Sequence, residues 1–174
     1  RVIARDETPF TVSIEKIPNL RPAFGKDGTV TAASSSSIAD GASALLLARA
    51  SAAAAAKLTP VARIVAHASH AHAPEWFTTA PGGAIATVLK RAGWKASDVD
   101  LYEINEAFAV VTMAAMKDAG ITHDRVNVHG GACALGHPIG ATGARILTTL
   151  VHALKRHGKK RGVAALCIGG GEAT

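Results

Sequence analysis

From Pro60 onward the chain alternates short apolar runs with stretches of helical period, and this rhythm confines it to an α/β architecture. The run 61–68 reads as a strand. A loop carrying Pro74 and Pro81-Gly82-Gly83 leads into a helix over 84–91, stopped at Gly93. Residues 99–104 read as a strand, 106–119 as a helix ended by Gly120, and 126–129 as a short strand. A glycine-rich loop follows, and Pro138 can occupy a first helical turn. Ile146, Leu147, Leu150, Val151 and Leu154 then form a helical stripe that Gly158 closes. Residues 163–168 are a continuous apolar strand, with no closing element expected after Gly171. The order β-α-β-α-β-α-β predicts a layered α/β domain with a buried sheet and packed helices.

The first third is less regular. Pro9, Pro18 and Pro22 break any long element before residue 33. Ser34 to Ser37 lead into Asp40-Gly41, a turn signal. Residues 42–48 read as a buried strand and 50–57 as one or two Ala-rich helical turns. There is no internal repeat. At 174 residues the chain suits one domain, or one domain with a remnant of another.

Composition removes several function classes. No run of 18 apolar residues marks a membrane span, and the charged opening 1–7 has no signal-peptide pattern. The absence of an initiating Met suggests a start within a longer protein. Two cysteines, Cys133 and Cys167, make no disulfide framework, so a reducing, cytoplasmic setting is expected. The net charge of +6 gathers partly at Lys155, Arg156, Lys159, Lys160 and Arg161. That cluster reads as a solvated helix end, and no nucleic-acid motif accompanies it.

Three segments place reactive groups at strand-to-loop junctions, where ligand sites of α/β sheets lie. They are Asn105 to Ala109, the loop from His129 to Gly143, and Cys167 to Gly171. His137 precedes a Pro that can start a helix, and a helix N-terminus disfavours the imidazolium. A neutral His there can accept a proton or donate a hydrogen bond to an oxyanion. The glycine spacing is not that of a dinucleotide fingerprint. Cys167 opens onto three glycines whose amides can form an anion nest. Glu106 reads as a tie between loops, Cys133 as a buried structural thiol, and His129 as either a lining or a structural residue. Of His67, His70 and His72, strand alternation puts the last two on one face. With no further ligand they are not expected to hold a metal. Trp76 and Trp94 are expected to pack.

The same segments resemble the thiolase family. Asn105-Glu106-Ala107-Phe108 is similar to its NEAF motif, Gly136 to Gly143 to its GHPIG-A-[ST]-G motif, and Cys167 to Gly171 to its CxGGG motif. Gly28 to Ala32, with Ser36 and Asp40-Gly41, resembles the stretch just upstream of the family's C-terminal domain. The resemblance runs from about Phe24 to Thr174. It implies a thiolase-type half-fold: a remnant of the loop and N-terminal domain over 1–57, and a C-terminal domain over 58–174 without its last strand. Where the family commonly has Asn, this chain has Ser34 and Ala39.

The resemblance also implies an acyl-CoA acyltransferase. It would catalyse Claisen condensation of acetyl-CoA or thiolytic cleavage of a 3-ketoacyl-CoA, with coenzyme A as substrate rather than cofactor. In that pattern His137 activates the nucleophile and helps bind the enolate oxygen. Cys167 moves the α-proton. Asn105 holds a water in the first oxyanion hole, and the Gly169 amide contributes to the second. Ser36, Ala107, Phe108 and Phe24 line the coenzyme A pantetheine. Cys167 argues against the decarboxylating condensing enzymes, which carry His or Asn in its place. No cysteine precedes Cys133, so the nucleophile is expected in a missing N-terminal half. The chain alone should expose a normally buried face and be inactive, and the whole protein should be a homo-oligomer. The alternative is a non-catalytic or split-subunit module that binds coenzyme A or lipid.

Overall fold

The computed structural model describes residue 2 and residues 4–174, with no description of the Pro9 side chain. Arg1 and Ile3, part of the charged opening, lie outside the described residues. In chain order the elements are α1 (Thr8–Thr11), α2 (Ala50–Ala55), β1 (His70–Ala71), α3 (Ala80–Ala92), β2 (Leu101–Ile104), α4 (Ala109–Ala119), α5 (Ala132–Leu135), α6 (Thr142–Arg156), β3 (Gly162–Ala165), β4 (Cys167–Ile168) and β5 (Glu172–Ala173). Short 3-10 turns join several of them.

The centre is a parallel pair in which Leu101, Tyr102, Glu103 and Ile104 of β2 oppose Gly162, Val163, Ala164 and Ala165 of β3. Successive side chains of a strand point to opposite faces. Tyr102 and Ile104 therefore join Ile85, Leu89, Val99, Ala115, Ile121, Val126, Val163 and Ala165 in the main core, on the side of α3 and α4. Leu101 faces the other way, onto Leu150 and Ala153 of α6. The result is helix on sheet on helix, the expected layering.

Helix ends follow the sequence signals. Pro81 lies in the first turn of α3, and Gly93 and Gly120 take left-handed backbone just past α3 and α4. The amphipathic stripe of α6 buries Ile146, Leu150 and Ala153. The basic residues Lys155 and Arg156 fall in its last turn, as the helix dipole favours. Beyond it, the Asp100 carboxylate accepts the Lys160 and Arg161 amides, which holds its pKa below the usual range.

Several strand expectations fail for identifiable reasons. The run 61–68 is not a regular strand; only His70–Ala71 enter a ladder, antiparallel to β5. Residues 42–48 form no strand either. Leu46, Leu47, Val61 and Ile64 stand 86%, 69%, 88% and 66% exposed. An apolar run becomes a strand only where a neighbour completes its hydrogen bonds. Residues 126–129 give a single bridge to Tyr102. The strand stops because Asn127 adopts φ +48 and its carboxamide, not its backbone, pairs with Ile104.

The run 163–168 is split. β3 follows β2 to Ala165, and then Leu166 exchanges both backbone bonds with Thr174. β4 continues into the antiparallel order β1-β5-β4. After the glycine run the chain does not trail off; Glu172–Ala173 form the middle strand of that sheet. The helix expected from Pro138 starts four residues later, at Thr142. Trp94 packs on the core as expected, but Trp76 is 61% exposed.

Among the described residues no helix is long and apolar enough to cross a membrane. Ile85 is fully buried between α3 and the sheet. Ile85→Ala is expected to destabilise the chain by about 2–5 kcal/mol, read as a lower urea midpoint at unchanged slope.

Candidate active site

Asn105 is the first residue past β2, and its amide donates to the Ala165 carbonyl at 2.9 Å. That bond carries the β2–β3 register one residue further. It places Asn105 beside the point where β3 turns into β4, and Cys167 is the first residue of β4. Asn105 is 1% exposed, and its Nδ2 lies 3.4 Å from Nε2 of His137. The sequence thus brings two residues 32 positions apart to one strand end. Asn105 is not the N-cap of α4, since that helix is capped at Phe108 without a side-chain bond.

His137 is held by its backbone and by its ring. Its amide donates to the Ser37 carbonyl at 2.8 Å, within a parallel bridge to Ile38. Gly136 makes this possible: its φ is +87, and a Cβ there would lie 2.6 Å from the Ala39 Cβ. The segment 37–41 therefore packs directly on the histidine loop. On the ring, Nδ1 lies 2.7 Å from Thr142 Oγ1, whose hydroxyl donates to the Pro138 carbonyl at 2.9 Å. Burial, and then the Arg145 cation, lower the His137 pKa and keep the imidazole neutral at pH 7. The expected neutrality holds, but the main cause is burial rather than the helix start.

Cys167 is partly buried, and burial raises its thiol pKa, so it carries its proton at neutral pH. Gly169 lies in the turn between β4 and β5, which the Gly171 amide closes onto the Ile168 carbonyl at 3.3 Å. Nothing stands within 4 Å of where a Gly169 Cβ would be, so its backbone is open to approach.

The other candidates also gather. Both the amide and the hydroxyl of Ser36 donate to the Ala107 carbonyl, at 3.1 and 3.0 Å. Ser35 forms an antiparallel bridge with Phe108. The Phe108 ring meets Phe24 edge-on at 5.4 Å and Phe77 at 6.5 Å. Phe24 remains 75% exposed. Ser36 and Phe24 thus pack on Ala107 and Phe108 of the loop that begins at Asn105, and the four form one strip.

Glu106 ties the loops, accepting from the Cys133 amide at 3.1 Å and from Asn127 Nδ2 at 3.1 Å. Burial and the Glu106 carboxylate push the Cys133 thiol up to about 11, which makes it inert at neutral pH. His129 turns away to His157, with Nε2 atoms 3.2 Å apart. His70 and His72 do share a face, their rings edge to face at 5.2 Å. His67 instead reaches Thr174 Oγ1 at 2.7 Å. No group of three or more acidic, His or Cys side chains able to hold a metal occurs among the described residues.

Three site residues escape the sequence reading: Thr142, Arg145 and Glu103. Glu103 is 2% exposed, and its Oε2 lies 3.5 Å from Arg145 Nη1. Burial raises its pKa to about 7 against the opposing pull of Arg145. The signal was present: a carboxylate inside an apolar strand demands a buried partner.

Sequence and fold are similar to those of known proteins. A family model described as "Thiolase, C-terminal domain" matches residues 58–174, and one described as "Thiolase, N-terminal domain" matches residues 1–51. A probable acetyl-CoA acetyltransferase of Dictyostelium discoideum is 52% identical over 172 residues, covering 99% of this chain and 42% of that protein. The acetyl-CoA acetyltransferase of Escherichia coli (strain K12) is 51% identical over 172 residues, covering 98% of this chain and 44% of that protein. The chain therefore spans less than half the length of these relatives. Among solved structures, the Bacillus anthracis acetyl-CoA acetyltransferase superposes with a TM-score of 0.90 at 43% identity, covering 94% of this chain and 41% of that one. Human mitochondrial 3-ketoacyl-CoA thiolase does so with 0.86 at 39% identity, over 94% and 41%. With both family models matched in order and the fold shared, the chain belongs to the thiolase family.

Proposed function

We propose that this chain supplies the base, the proton carrier and the oxyanion donors of a thiolase-type acyl-CoA acyltransferase, acting on acetyl-CoA or a 3-ketoacyl-CoA. The observation that carries this reading is the Asn105–His137 contact at the end of β2, with Cys167 opening the strand that follows β3. The names of the relatives support the same reaction class.

In the condensing direction an acyl group is held as a thioester on a cysteine outside this chain, which has only Cys133 and Cys167. His137 takes the proton of that nucleophile as it is acylated. The coenzyme A thiolate that leaves takes the Cys167 proton, and Cys167, now a thiolate, removes the α-proton of the second acetyl-CoA. The resulting carbon attacks the acyl thioester; a C–C bond forms, the C–S bond breaks, and the cysteine thiolate regains a proton. Thiolysis runs the same steps backward, with the protonated Cys167 giving its proton to the departing carbon. An α-proton of a thioester is weakly acidic, so the enolate oxygen needs donors. One such donor is worth about 3 to 4 kcal/mol of transition-state stabilisation. His137 and a water oriented by Asn105 supply the enolate's donors, and the Gly169 amide contributes to the second oxyanion hole, for the acyl oxygen. Ser36, Ala107, Phe108 and Phe24 form the strip along which the pantetheine lies.

The test is acetoacetyl-CoA thiolysis by this chain alone and by the chain joined to a cysteine-bearing N-terminal thiolase half. The joined protein is expected to turn over and the chain alone is not; turnover by the chain alone sinks the division of roles. In the active protein, His137→Ala is expected to lower kcat by about a hundred- to ten-thousandfold. The pH profile carries a sign. A base with a lowered pKa stays neutral into acid, so the acidic limb of kcat/KM should fall below the ordinary histidine range. An acidic limb at or above the ordinary value would show that His137 is not the group titrating.

A further inference from the structure

We propose that Arg145 is a positioning residue: bridging Glu103 and the carboxamide oxygen of Asn105, it sets which end of that amide faces His137 and so, together with Thr142 on the other ring nitrogen, which ring nitrogen is left unprotonated. This inference rests on the reading of His137 as a base.

Arg145 Nη2 lies 3.5 Å from Asn105 Oδ1, and a guanidinium only donates. The amide atom facing it must therefore be the oxygen, and Nδ2 is left to face His137 Nε2 at 3.4 Å. Nδ2 also only donates, so Nε2 must accept, with its lone pair free. On the far side of the ring, Thr142 spends its hydroxyl proton on the Pro138 carbonyl at 2.9 Å. Thr142 Oγ1 then accepts from Nδ1 at 2.7 Å, so Nδ1 carries the proton. Both sides select the same tautomer, with hydrogen on Nδ1 and the base at Nε2. Turning the Asn105 amide over would set oxygen against the Arg145-free side and amide hydrogens against a cation. It would also present an acceptor to Nε2 and favour a proton there.

Glu103 completes the device. It projects from β2 toward α6, is 2% exposed, and lies 3.5 Å from Arg145 Nη1. It holds the guanidinium at the strand end by charge, on the same strand that delivers Asn105. The groups around the pair are Arg145 from α6, Glu103 from β2 and Glu106 beyond β2, whose charge acts on Glu103. Lysine keeps the charge of Arg145, but one ammonium lacks the planar fork that meets a carboxylate and an amide together.

The test uses the complete protein, in which thiolysis can be assayed, and reads Arg145→Lys and the paired swap Glu103→Gln with Arg145→Met. The swap removes both buried charges at similar volume and so keeps a folded protein available. Long-range 1H–15N spectra of the ring report the His137 tautomer directly. The wild type is expected to show hydrogen on Nδ1, and both variants a mixture with hydrogen on Nε2. In parallel, kcat is expected to fall about 10- to 100-fold, with KM for acetoacetyl-CoA changed by about twofold or less. A purely structural role would lower the melting temperature and leave the tautomer of the folded protein unchanged. An unchanged tautomer in either folded variant overturns the proposal. A wild type with no thiolytic activity overturns the functional reading instead, while the tautomer result still decides the role of Arg145.

Discussion

The parallel register of β2 against β3 is the constraint from which the site follows. Because side chains alternate, that register sends Tyr102 and Ile104 into the α3–α4 core and Leu101 and Glu103 toward α6. A slip of one residue would carry Glu103 into the cluster of Ile85, Leu89 and Val99 and bring Tyr102 out of it. The same pairing, extended by the Asn105 amide onto Ala165, ends both strands at one level. Asn105 and Cys167 reach that level from opposite halves of the 58–174 region, and α6 delivers Thr142 and Arg145 to it from the face Glu103 occupies. Asn105, His137 and Arg145 meet because the end of β2, the histidine loop and the start of α6 come together, and Cys167 follows β3 at the same end.

A parallel pair that ends abruptly leaves backbone groups that must be satisfied. Asn127 does this for Ile104, accepting its N–H at 2.8 Å and donating to its carbonyl at 2.9 Å. One side chain thus replaces a missing strand and also binds Glu106. Glu106 in turn holds the Cys133 amide at the start of α5. This relay fixes the glycine-rich loop to the end of β2 without a continuous ladder. The loop keeps an irregular backbone, which is what allows His137 to face Asn105.

Much of this was legible in the sequence, and the failures share one cause. Helices α3, α4 and α6 were readable because periodicity, Gly93, Gly120 and the buried stripe of Ile146 and Leu150 are local signals. The site residues were readable as words, since Asn105, His137 and Cys167 each sit in a distinctive run. Strand pairing was not, because it depends on a neighbour that no local pattern names. The runs at 42–48 and 61–68 have strand composition and stay outside a regular ladder, and 163–168 divides between two sheets. Arg145 escaped for the same reason: Glu103 inside an apolar strand signals a buried partner, but nothing local names Arg145 as that partner until the two are placed 3.5 Å apart.

The electrostatics of the site point in one direction. Burial moves His137 down and Cys167 up, so both stay neutral near pH 7. A neutral imidazole, a thiol and an amide carry no charge that must be desolvated when substrate closes over them. The reaction proposed here builds negative charge on an oxygen, and that charge would appear among dipoles already oriented. Preorganised dipoles are worth more than mobile ones because they cost no reorganisation at the moment of reaction. The one cation close behind them, Arg145, is already compensated in part by Glu103, which burial lifts to about 7. A fully ionised pair would add little net field at the strand end. Burial works against the charged form of Glu103, and the Arg145 cation disfavours a proton on His137 while favouring an anion on the Asn105 side. The buried pair thus biases the site toward the base form of His137 and toward a developing oxyanion at the same time.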